Sequence, residues 1–399
     1  MGERPRLLFH VQHLLGVGHR NRAQRIAEAC RAAGFAVTVT TDPAAAPDGV
    51  EALPLPAIRA ADAGFSALVD ADGRPVSEAL WAERARRLAA AVAADPPDVL
   101  LVEGYPFARR RLGPEIEPLI AQARRAGARV ACSIRDILVE KPDAARNRRT
   151  AERAAALYDA ILVHGDPDFV RLEASFPEAA RLADRLHYTG YVAPPADRAE
   201  DAAEPDGAVV VSAGGGAVGA ALLEAALDAR AGGLLADRSW RLLAGPNLPS
   251  AAAERLMRRA GAQTAGPRGA ALEPALSGPA FRAALAGAAL SISQAGYNTV
   301  VDLWRTGPPA VLVPFAGPEG SETEQPLRAR LMAAAGEAAV VSEAALSGAA
   351  LARAATECLA APRPGPAARA LDGAAETARR LAALAAGARA GLPSAGERL

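Results

Sequence analysis

The sequence of residues 293–325, SQAGYNTVVDLWRTGPPAVLVPFAGPEGSETEQ, sets polar groups around a predicted turn, helix and strand. Gly296 lies where a predicted strand, residues 289–293, gives way to a helix. Free backbone N–H groups and the positive end of the helix dipole meet at such a place. Asn298 and Thr299 add side-chain donors in the first helical turn. This combination suits an anionic group such as a phosphate.

Asp302 follows about one turn later on the same helical face. A carboxylate there can accept hydrogen bonds from both hydroxyls of a ribose, as acidic residues do in dinucleotide sites. A Gly-Pro-Pro turn ends the helix, and the apolar run 310–315 is typical of a buried parallel strand. Glu324 and Gln325 come just beyond that strand, and their side chains can bind sugar hydroxyls.

A second glycine-rich turn, residues 212–219 (SAGGGAVG), follows another predicted strand. Gly214, Gly215 and Gly216 would expose several N–H groups before a helix, which is the form of a diphosphate cradle. The alternative interpretation is a flexible turn. The run lacks Gly-Lys-Ser/Thr, so it is not the P-loop of an ATPase.

Residues 15–22 (LGVGHRNR) follow the first predicted strand and open a helix. Gly16 and Gly18 allow the backbone to turn tightly and approach a ligand. His19 would stand at the N-terminus of that helix. A histidine suits a general base because its pKa lies near neutrality. The alternative is a histidine that caps the helix or binds a backbone carbonyl.

Glu103 and Asp136 each follow a predicted buried strand, at the edge where open α/β sheets bind ligands. We predict that one of them serves as a base or orients His19. For Asp136 the alternatives are an ion pair with Arg135 or a helix cap.

Three consecutive arginines, Arg109, Arg110 and Arg111, form a short basic patch nearby. Most such runs are solvated. Anchoring an anionic acceptor or a lipid headgroup is the less common alternative.

The elements that must position these residues alternate between strand and helix in both halves of the chain, which predicts α/β architecture with parallel sheets. In the first half we predict strands at 6–12, 36–41, 50–58, 99–103, 129–134, 160–164 and 186–190, and helices at 21–33, 77–94, 115–126 and 144–157. In the second half we predict strands at 208–212, 241–244, 289–293, 310–314 and 338–341, and helices at 220–229, 251–260, 298–305, 324–335, 343–360 and 367–386.

Residues 191–207 are rich in Pro, Ala and charge and read as a linker. The predicted domains are therefore an N-terminal Rossmann-like domain (1–190), the linker (191–207), a C-terminal Rossmann-like domain (208–366), and a terminal helix with its tail (367–399).

The run 293–325 resembles the donor-binding signature of GT-B glycosyltransferases. The closer likeness is to the glycosyltransferase family 28 C-terminal domain, which occurs in the N-acetylglucosaminyltransferase of peptidoglycan synthesis, and to a group of bacterial predicted glycosyltransferases. The matching positions are Gln294, Ala295, Gly296, Tyr297, Asn298, Thr299, Asp302, Gly307, Pro309, Glu324 and Gln325. Gln294 replaces a histidine found in the signature of the plant secondary-product glycosyltransferases, and Asp302 is shorter than the usual glutamate.

The resemblance implies a GT-B fold, in which two doubly wound domains face a central cleft, and an inverting, metal-independent transfer from a UDP-sugar without a cofactor. It places the acceptor on the first domain, since the run Gly16, Gly18, His19 and Arg22 is similar to the first loop of GT-B enzymes. A terminal helix that crosses back to the first domain is also typical of the fold. Two other functions use the same donor pocket, a hydrolysing UDP-sugar epimerase and an inactive nucleotide-sugar-binding protein.

The amino-acid composition limits the classes of molecule that the protein is expected to bind. The chain has 399 residues with 45 Lys and Arg against 45 Asp and Glu, which argues against nucleic acid. Three widely spaced cysteines suggest a reducing cytoplasm. We recognise no leader and no apolar run long enough for a membrane span. We therefore expect a nucleotide-sugar donor and a small-molecule or lipid-linked acceptor, with at most peripheral contact with a membrane.

Overall fold

The structure is a computed structural model that describes residues 4–12, 18–61, 67–194, 207–214, 219–245, 248–263, 268–317, 320–361 and 368–390, with the side chains of residues 18, 19, 389 and 390 outside that description. The chain divides into two compact units. The first contains Met1–Ala193 and Ala370–Leu399, and the second contains Pro194–Arg369. Each is built on a parallel sheet, as the alternation of elements predicts.

The first unit has these strands: β1 (Arg6–His10), β2 (Ala36–Val39), β3 (Glu51–Ala52), β4 (Arg59–Ala60), β5 (Leu68–Val69), β6 (Val99–Glu103), β7 (Arg129–Arg135), β8 (Ala160–His164) and β9 (Leu186–Tyr188). Its helices are α1 (Gly18–Ala32), α2 (Glu78–Ala94), α3 (Gly113–Arg125) and α4 (Ala144–Leu157). The seven-stranded sheet has the order β3-β2-β1-β6-β7-β8-β9, while β4 and β5 form a separate antiparallel pair.

The strand order reverses between β1 and β6, which are neighbours in the sheet. In open α/β sheets, the carboxyl ends of two strands at such a reversal point border a crevice that binds ligands. All residues of β6 and β8 are buried, as expected for strands covered by helices on both faces.

Side-chain hydrogen bonds fix where several strands and helices begin or end. Strand β1 stops two residues before its predicted end, because the Thr40 hydroxyl bonds both the N–H and the carbonyl of Val11, at 2.7 and 2.8 Å. Helix α2 begins where the Ser77 hydroxyl accepts from the N–H of Leu80. Helix α4 begins where the Asp143 carboxylate accepts from the N–H of Arg146. Such caps satisfy backbone donors that the helix leaves open.

The last helix of the chain, α11 (Gly373–Ala390), belongs to the first unit and packs on α1. Its buried Leu381 shares a hydrophobic cluster with Ile26. Tyr191 and Val192, which we assigned to the linker, are fully buried in this unit. They are held there because Tyr191 exchanges backbone hydrogen bonds with Ala370 and Gly373.

The second unit has six strands: β10 (Val209–Ser212), β11 (Trp240–Ala244), β12 (Ala270–Pro274), β13 (Leu290–Ser293), β14 (Ala310–Leu312) and β15 (Ala339–Val340). Its helices are α5 (Ala220–Ala231), α6 (Ser250–Gly261), α7 (Gly278–Ala286), α8 (Tyr297–Thr306), α9 (Glu324–Ala334) and α10 (Gly348–Ala360). The sheet order is β12-β11-β10-β13-β14-β15, so its reversal falls between β10 and β13.

Two elements of this unit, β12 and α7, were not predicted. Strand β12 lies at the edge of the sheet and is only partly buried, so it lacks the continuous apolar run of a central strand. Helix α10 was predicted to start at residue 343, but it starts at Gly348 because the Ser347 hydroxyl caps it through the N–H of Ala350.

All three cysteines are free thiols, and Cys30 and Cys132 are buried. Burial raises the pKa of Cys30 to about 12. Within the part of the chain that the structure describes, no helix is both long and apolar enough to cross a bilayer.

Candidate functional site

The reversal point of the second sheet brings two predicted sites together. Ser212, which ends β10, pairs in register with Ser293, which ends β13, and the N–H of Gln294 donates to the Ser212 carbonyl at 3.2 Å. Gly214 has a positive φ of 68°, and a Cβ on it would lie 3.4 Å from Oε1 of Gln294. The left-handed backbone favours a glycine there. Gly215 and Gly216 lie outside the described residues, so their role as a cradle stays a prediction.

Helix α8 begins directly beyond this contact. Gly296 occupies its N-cap position with an extended backbone, φ −65° and ψ 149°, and as a glycine it has no side chain with which to cap the helix. The space over Gly296 is open, since a Cβ on it would meet no atom within 4 Å. Asn298 and Thr299 lie half-buried in the first turn. Backbone donors at the start of α8 would suit an anion, and the binding of an anion there stays a prediction.

Asp302 lies one turn after Asn298 and is only 7% exposed. The Oδ1 atom of Asn298 is shielded from solvent and accepts no hydrogen bond from the described residues. Buried polar atoms usually have a partner, so this atom is a candidate to accept a hydrogen bond from a ligand. Ribose binding by Asp302 and phosphate binding by Asn298 and Thr299 stay predictions.

Glu324 and Gln325 open helix α9 and have different partners. Oε1 of Gln325 accepts from the backbone N–H of Phe315 at 3.1 Å, which ties α9 to the loop after β14. Glu324 is 3% exposed, and its Oε1 accepts from Nη2 of Arg328 at 2.9 Å. The carboxylate of Glu324 thus has a buried structural partner, while its contact with a sugar hydroxyl stays a prediction.

Arg328 is a residue of the site that sequence reasoning missed. It is fully buried, donates from Nη1 to the Ala295 carbonyl at 3.0 Å, and lies over the Tyr297 ring at 5.8 Å from the ring centroid. It therefore joins the start of α9 to the turn that precedes α8. The spacing of Glu324 and Arg328, four residues apart in a helix, is the signal that could have identified the pair.

In the first unit, a buried ion pair spans the reversal point of the sheet. Nη2 of Arg22, on α1, donates to Oε1 of Glu103 at 2.5 Å, and both residues are 3% exposed. Helix α1 begins at Gly18, so the backbone of His19 lies in its first turn. The side chain of His19 and residue Gly16 lie outside the described part of the chain, and their roles stay predictions.

Asp136 is fully buried, and its Oδ2 accepts a hydrogen bond from the Tyr191 hydroxyl at 3.2 Å. A Cβ on Gly165 would lie 2.6 Å from Cβ of Asp136, so the neighbouring strand end requires glycine. This enclosure favours an orienting role over direct contact with a substrate.

A neutral histidine lies beside the same strand ends. The Thr189 hydroxyl can donate to the Val163 carbonyl, so it accepts from Nδ1 of His164 at 2.9 Å, and Nε2 of His164 then accepts from the Ser133 hydroxyl at 2.7 Å. Burial, followed by the positive charge of Arg22, lowers the pKa of His164 to about 3. We infer this tautomer from the network of hydrogen bonds.

The carboxyl end of β1 is fixed by a second buried network. His10 donates to Glu115 at 2.7 Å, and Nε of Arg84 donates to the same carboxylate at 2.5 Å. Burial would raise the pKa of Glu115, but these hydrogen bonds outweigh it and hold the pKa at about 2. Nη2 of Arg84 also donates to Oε1 of Gln12 at 2.7 Å. Buried hydrogen bonds therefore hold the end of β1 and the residues that follow it, up to Gln12.

Within the described ranges, no group of three His, Cys, Asp or Glu side chains could hold a metal ion.

Comparison with known proteins confirms the resemblance that the signature indicates. The family model of the glycosyltransferase family 28 C-terminal domain matches residues 279–384, which include the whole signature. No curated protein matches the sequence significantly.

Solved glycosyltransferases share the fold over nearly the whole chain. The kitacinnamycin glycotransferase is 18% identical with a TM-score of 0.59, and the alignment covers 98% of this chain and 96% of that one. MurG of Acinetobacter baumannii is 15% identical with a TM-score of 0.55, covering 98% and 96%. UGT2 of Phytolacca americana, solved with UDP-2-fluoro-glucose and pterostilbene, is 14% identical with a TM-score of 0.56, covering 96% and 95%. The chain therefore has the GT-B fold of glycosyltransferases.

Proposed function

We propose that this GT-B protein is an inverting glycosyltransferase that moves a sugar from UDP to a hydroxyl or similar nucleophile of an acceptor, without a metal ion or other cofactor. The observation that carries the proposal is the arrangement of Gly214, Gln294 and Gly296 at the ends of β10 and β13. A diphosphate placed there would meet the backbone donors that begin α8, and the dipole of α8 favours its charge.

The reaction would be a single displacement. The imidazole of His19 takes the proton of the acceptor hydroxyl, the acceptor oxygen bonds to the anomeric carbon, and the bond from that carbon to the diphosphate oxygen breaks. The electron pair of this bond leaves with UDP. Backbone N–H groups near Gly214 and Gly296, with Asn298 and Thr299, would stabilise the charge that develops on the diphosphate. In other enzymes a divalent ion does this.

His19 is the proposed base because the carboxylates of Glu103 and Asp136 already have hydrogen-bond partners. The carboxylate of Glu103 is bonded by Arg22, and that of Asp136 accepts from the Tyr191 hydroxyl. Either carboxylate would need its pKa raised to act near neutral pH, whereas a histidine needs little change. We assign Glu103 and Asp136 the role of orienting the acceptor side of the site.

We place the reaction in the cytoplasm, where the three free thiols would stay reduced. The acceptor is a small molecule or a lipid-linked one, and a lipid-linked acceptor would bring the protein to a membrane surface peripherally.

A thermal-unfolding screen with UDP, other nucleoside diphosphates and UDP-sugars tests the donor. A ligand at about 100 times its Kd adds about 2.7 kcal/mol of stability when it binds only the folded state. UDP and one UDP-sugar should stabilise the protein most. If no nucleotide shifts the transition, the proposal is wrong.

Product analysis with the stabilising UDP-sugar then separates the activities. Transfer to an acceptor that continues in EDTA supports the proposal. Loss of activity in EDTA with recovery in magnesium or manganese would contradict metal independence. Formation of a 2-epimer without an acceptor would identify a hydrolysing epimerase, and tight UDP binding without turnover on any acceptor would identify a binding protein.

A further inference from the structure

Arg109 lies in the turn after β6, and the proposed transfer gives it no role. Its backbone is left-handed, with φ 55° and ψ 30°. Non-glycine residues hold such conformations at a cost of about 1–3 kcal/mol, and these residues concentrate at functional sites. The side chain bends back over the strand end, since a Cβ on Gly104 would lie 3.8 and 3.9 Å from Cγ and Cδ of Arg109.

The guanidinium of Arg109 has an unused donor. Its Nη1 atom is shielded from solvent and makes no hydrogen bond to any described residue. A buried donor is nearly always bonded, and leaving a charged one without a partner is costly. The methylene carbons of the side chain pack against Gly104 whether or not the guanidinium is present. Packing alone therefore does not explain an arginine at this position.

The charges that act on Arg109 favour the binding of an anion. Burial lowers its pKa, the negative charge of Glu103 raises it, and the positive charges of Arg135 and Arg22 lower it further. The carboxylate of Glu103 is bonded at 2.5 Å by Arg22. The carboxylate that raises the pKa of Arg109 is thus already bonded to another arginine. His164, which pairs in register with Arg135, adds no positive charge at neutral pH, because its pKa is about 3.

Arg109 also follows a strand end at which a ligand is expected to bind. Glu103 ends β6, which borders the reversal point of the first sheet, and open α/β sheets bind ligands outside that edge. We infer that Arg109 binds an oxyanion, a phosphate or carboxylate group of the acceptor. That this oxyanion belongs to the acceptor rests on the proposed transfer, whereas the binding of the oxyanion does not. A guanidinium suits both groups because its planar fork of donors matches their oxygens.

The test uses the full chain saturated with UDP, so that the donor side is filled, and measures the Kd of inorganic phosphate and of acetate by calorimetry and thermal unfolding. Arg109→Met keeps an apolar stem of similar length and removes the guanidinium. Arg125→Met, at an exposed arginine of α3, is the matched control. We expect the Kd of the preferred anion to rise about 10- to 100-fold in Arg109→Met, the loss expected from a charge-assisted hydrogen bond. The control should bind as the unmodified protein does.

Stability without ligand provides an independent readout. Removal of an unpaired buried charge should leave the unfolding midpoint unchanged or higher, whereas removal of a structural arginine should lower it. An unchanged anion Kd in Arg109→Met, or equal losses in both variants, would overturn the inference. If UDP does not bind but phosphate binds through Arg109, the proposed transfer fails and the oxyanion site stands.

A further comparison identifies the source of the anion. Phosphatidylcholine vesicles with and without phosphatidic acid distinguish a lipid phosphate from a soluble one. Sedimentation with the phosphatidic acid vesicles alone, lost in Arg109→Met, indicates a lipid-linked group. Phosphate binding without sedimentation indicates a soluble acceptor.

Discussion

The side-chain oxygen Oε1 of Gln325 and the backbone N–H of Phe315 form a hydrogen bond of 3.1 Å. An amide whose oxygen is held in this way has a fixed orientation, and its Nε2 group points away as a donor. Helix α9 therefore presents one amide donor at the end of β14, on the same edge of the sheet as Gly296.

This orientation yields a prediction for sugar choice. Gln325→Glu keeps an acceptor for Phe315 and replaces the donating amide by a carboxylate oxygen. Free UDP should bind as before, while the preference between UDP-sugars that differ at one hydroxyl should fall about tenfold. Calorimetry with UDP and each sugar measures both. Equal losses of UDP and UDP-sugar affinity would show that Gln325 serves the nucleotide or the fold.

Asp302→Ala should weaken UDP binding by about 1–3 kcal/mol, the usual loss for a hydrogen bond to a charged group. Asp302→Asn should lose less, because one oxygen remains. Since Asp302 is buried, circular dichroism and a urea titration must accompany the calorimetry. Unchanged UDP affinity in a folded variant removes Asp302 from the site.

His19→Ala should lower kcat by about 10²–10⁴, the range of general acid–base catalysis. UDP affinity should hardly change, because the proposed donor contacts lie in the second unit. The pH profile of kcat/KM should lose its acidic limb. Near-normal kcat would move the role to Glu103 or Asp136, and a parallel fall in thermal stability would indicate a structural histidine.

The buried pair of Glu324 and Arg328 predicts a stability effect. Arg328→Met should lower the free energy of unfolding by about 3–5 kcal/mol, because it leaves a buried carboxylate without its cation. The double variant Arg328→Met with Glu324→Gln should recover part of this loss. Urea titrations of the single and double variants test the coupling. Equal unfolding midpoints for the single and the double variant would show that the pair does not hold the start of α9.

The pKa of His164 predicts how stability depends on pH. The pKa falls from an ordinary 6.5 to about 3 in the folded protein, so the unfolded chain binds more protons between these values. The stabilisation is complete above pH 6.5 and is lost as the pH falls towards 3, with a slope of up to about 1.4 kcal/mol per pH unit.

His164→Gln should remove this slope between pH 4.5 and 6.5, above the range in which Glu115, with a pKa lowered from 4.5 to about 2, begins to contribute. Burial also lowers the pKa of His187 on β9, so the comparison is made in a His187→Gln background. Urea titrations across the interval provide the measurement, and a slope that persists in His164→Gln would contradict the assignment.

The sequence predicted those features that depend on short stretches of chain. The strand, turn and helix around Gly296 follow from an apolar run, a glycine and an amphipathic helix, and the structure has them within one residue. The edge strand β12 escaped prediction because it is neither fully buried nor strictly alternating. The start of α10 was misplaced because a single serine cap outweighs the apolar pattern before it.

Relations between distant residues could not be predicted in this way. Arg22 and Glu103 are 81 residues apart, and only the neighbouring positions of β1 and β6 bring them within hydrogen-bond distance. The contact between Gly214 and Gln294 likewise depends on β10 lying beside β13. The unused donor of Arg109 is evident only in the structure, where its Nη1 atom is buried. In the sequence, nothing distinguishes Arg109 from the two arginines that follow it.

The return of the chain to the first unit at Ala370 has a consequence for how the protein can be divided. Tyr191 is hydrogen-bonded to Ala370 and Gly373, so the chain leaves and re-enters the first unit at one place. In genetic terms, the second unit is an insertion whose two ends meet. A fragment that stops at Ala193 would lack α11 and expose the apolar side of α1, whereas a short bridge from Ala193 to Ala370 would retain both helices. The same junction is the natural position at which another domain could replace the second unit.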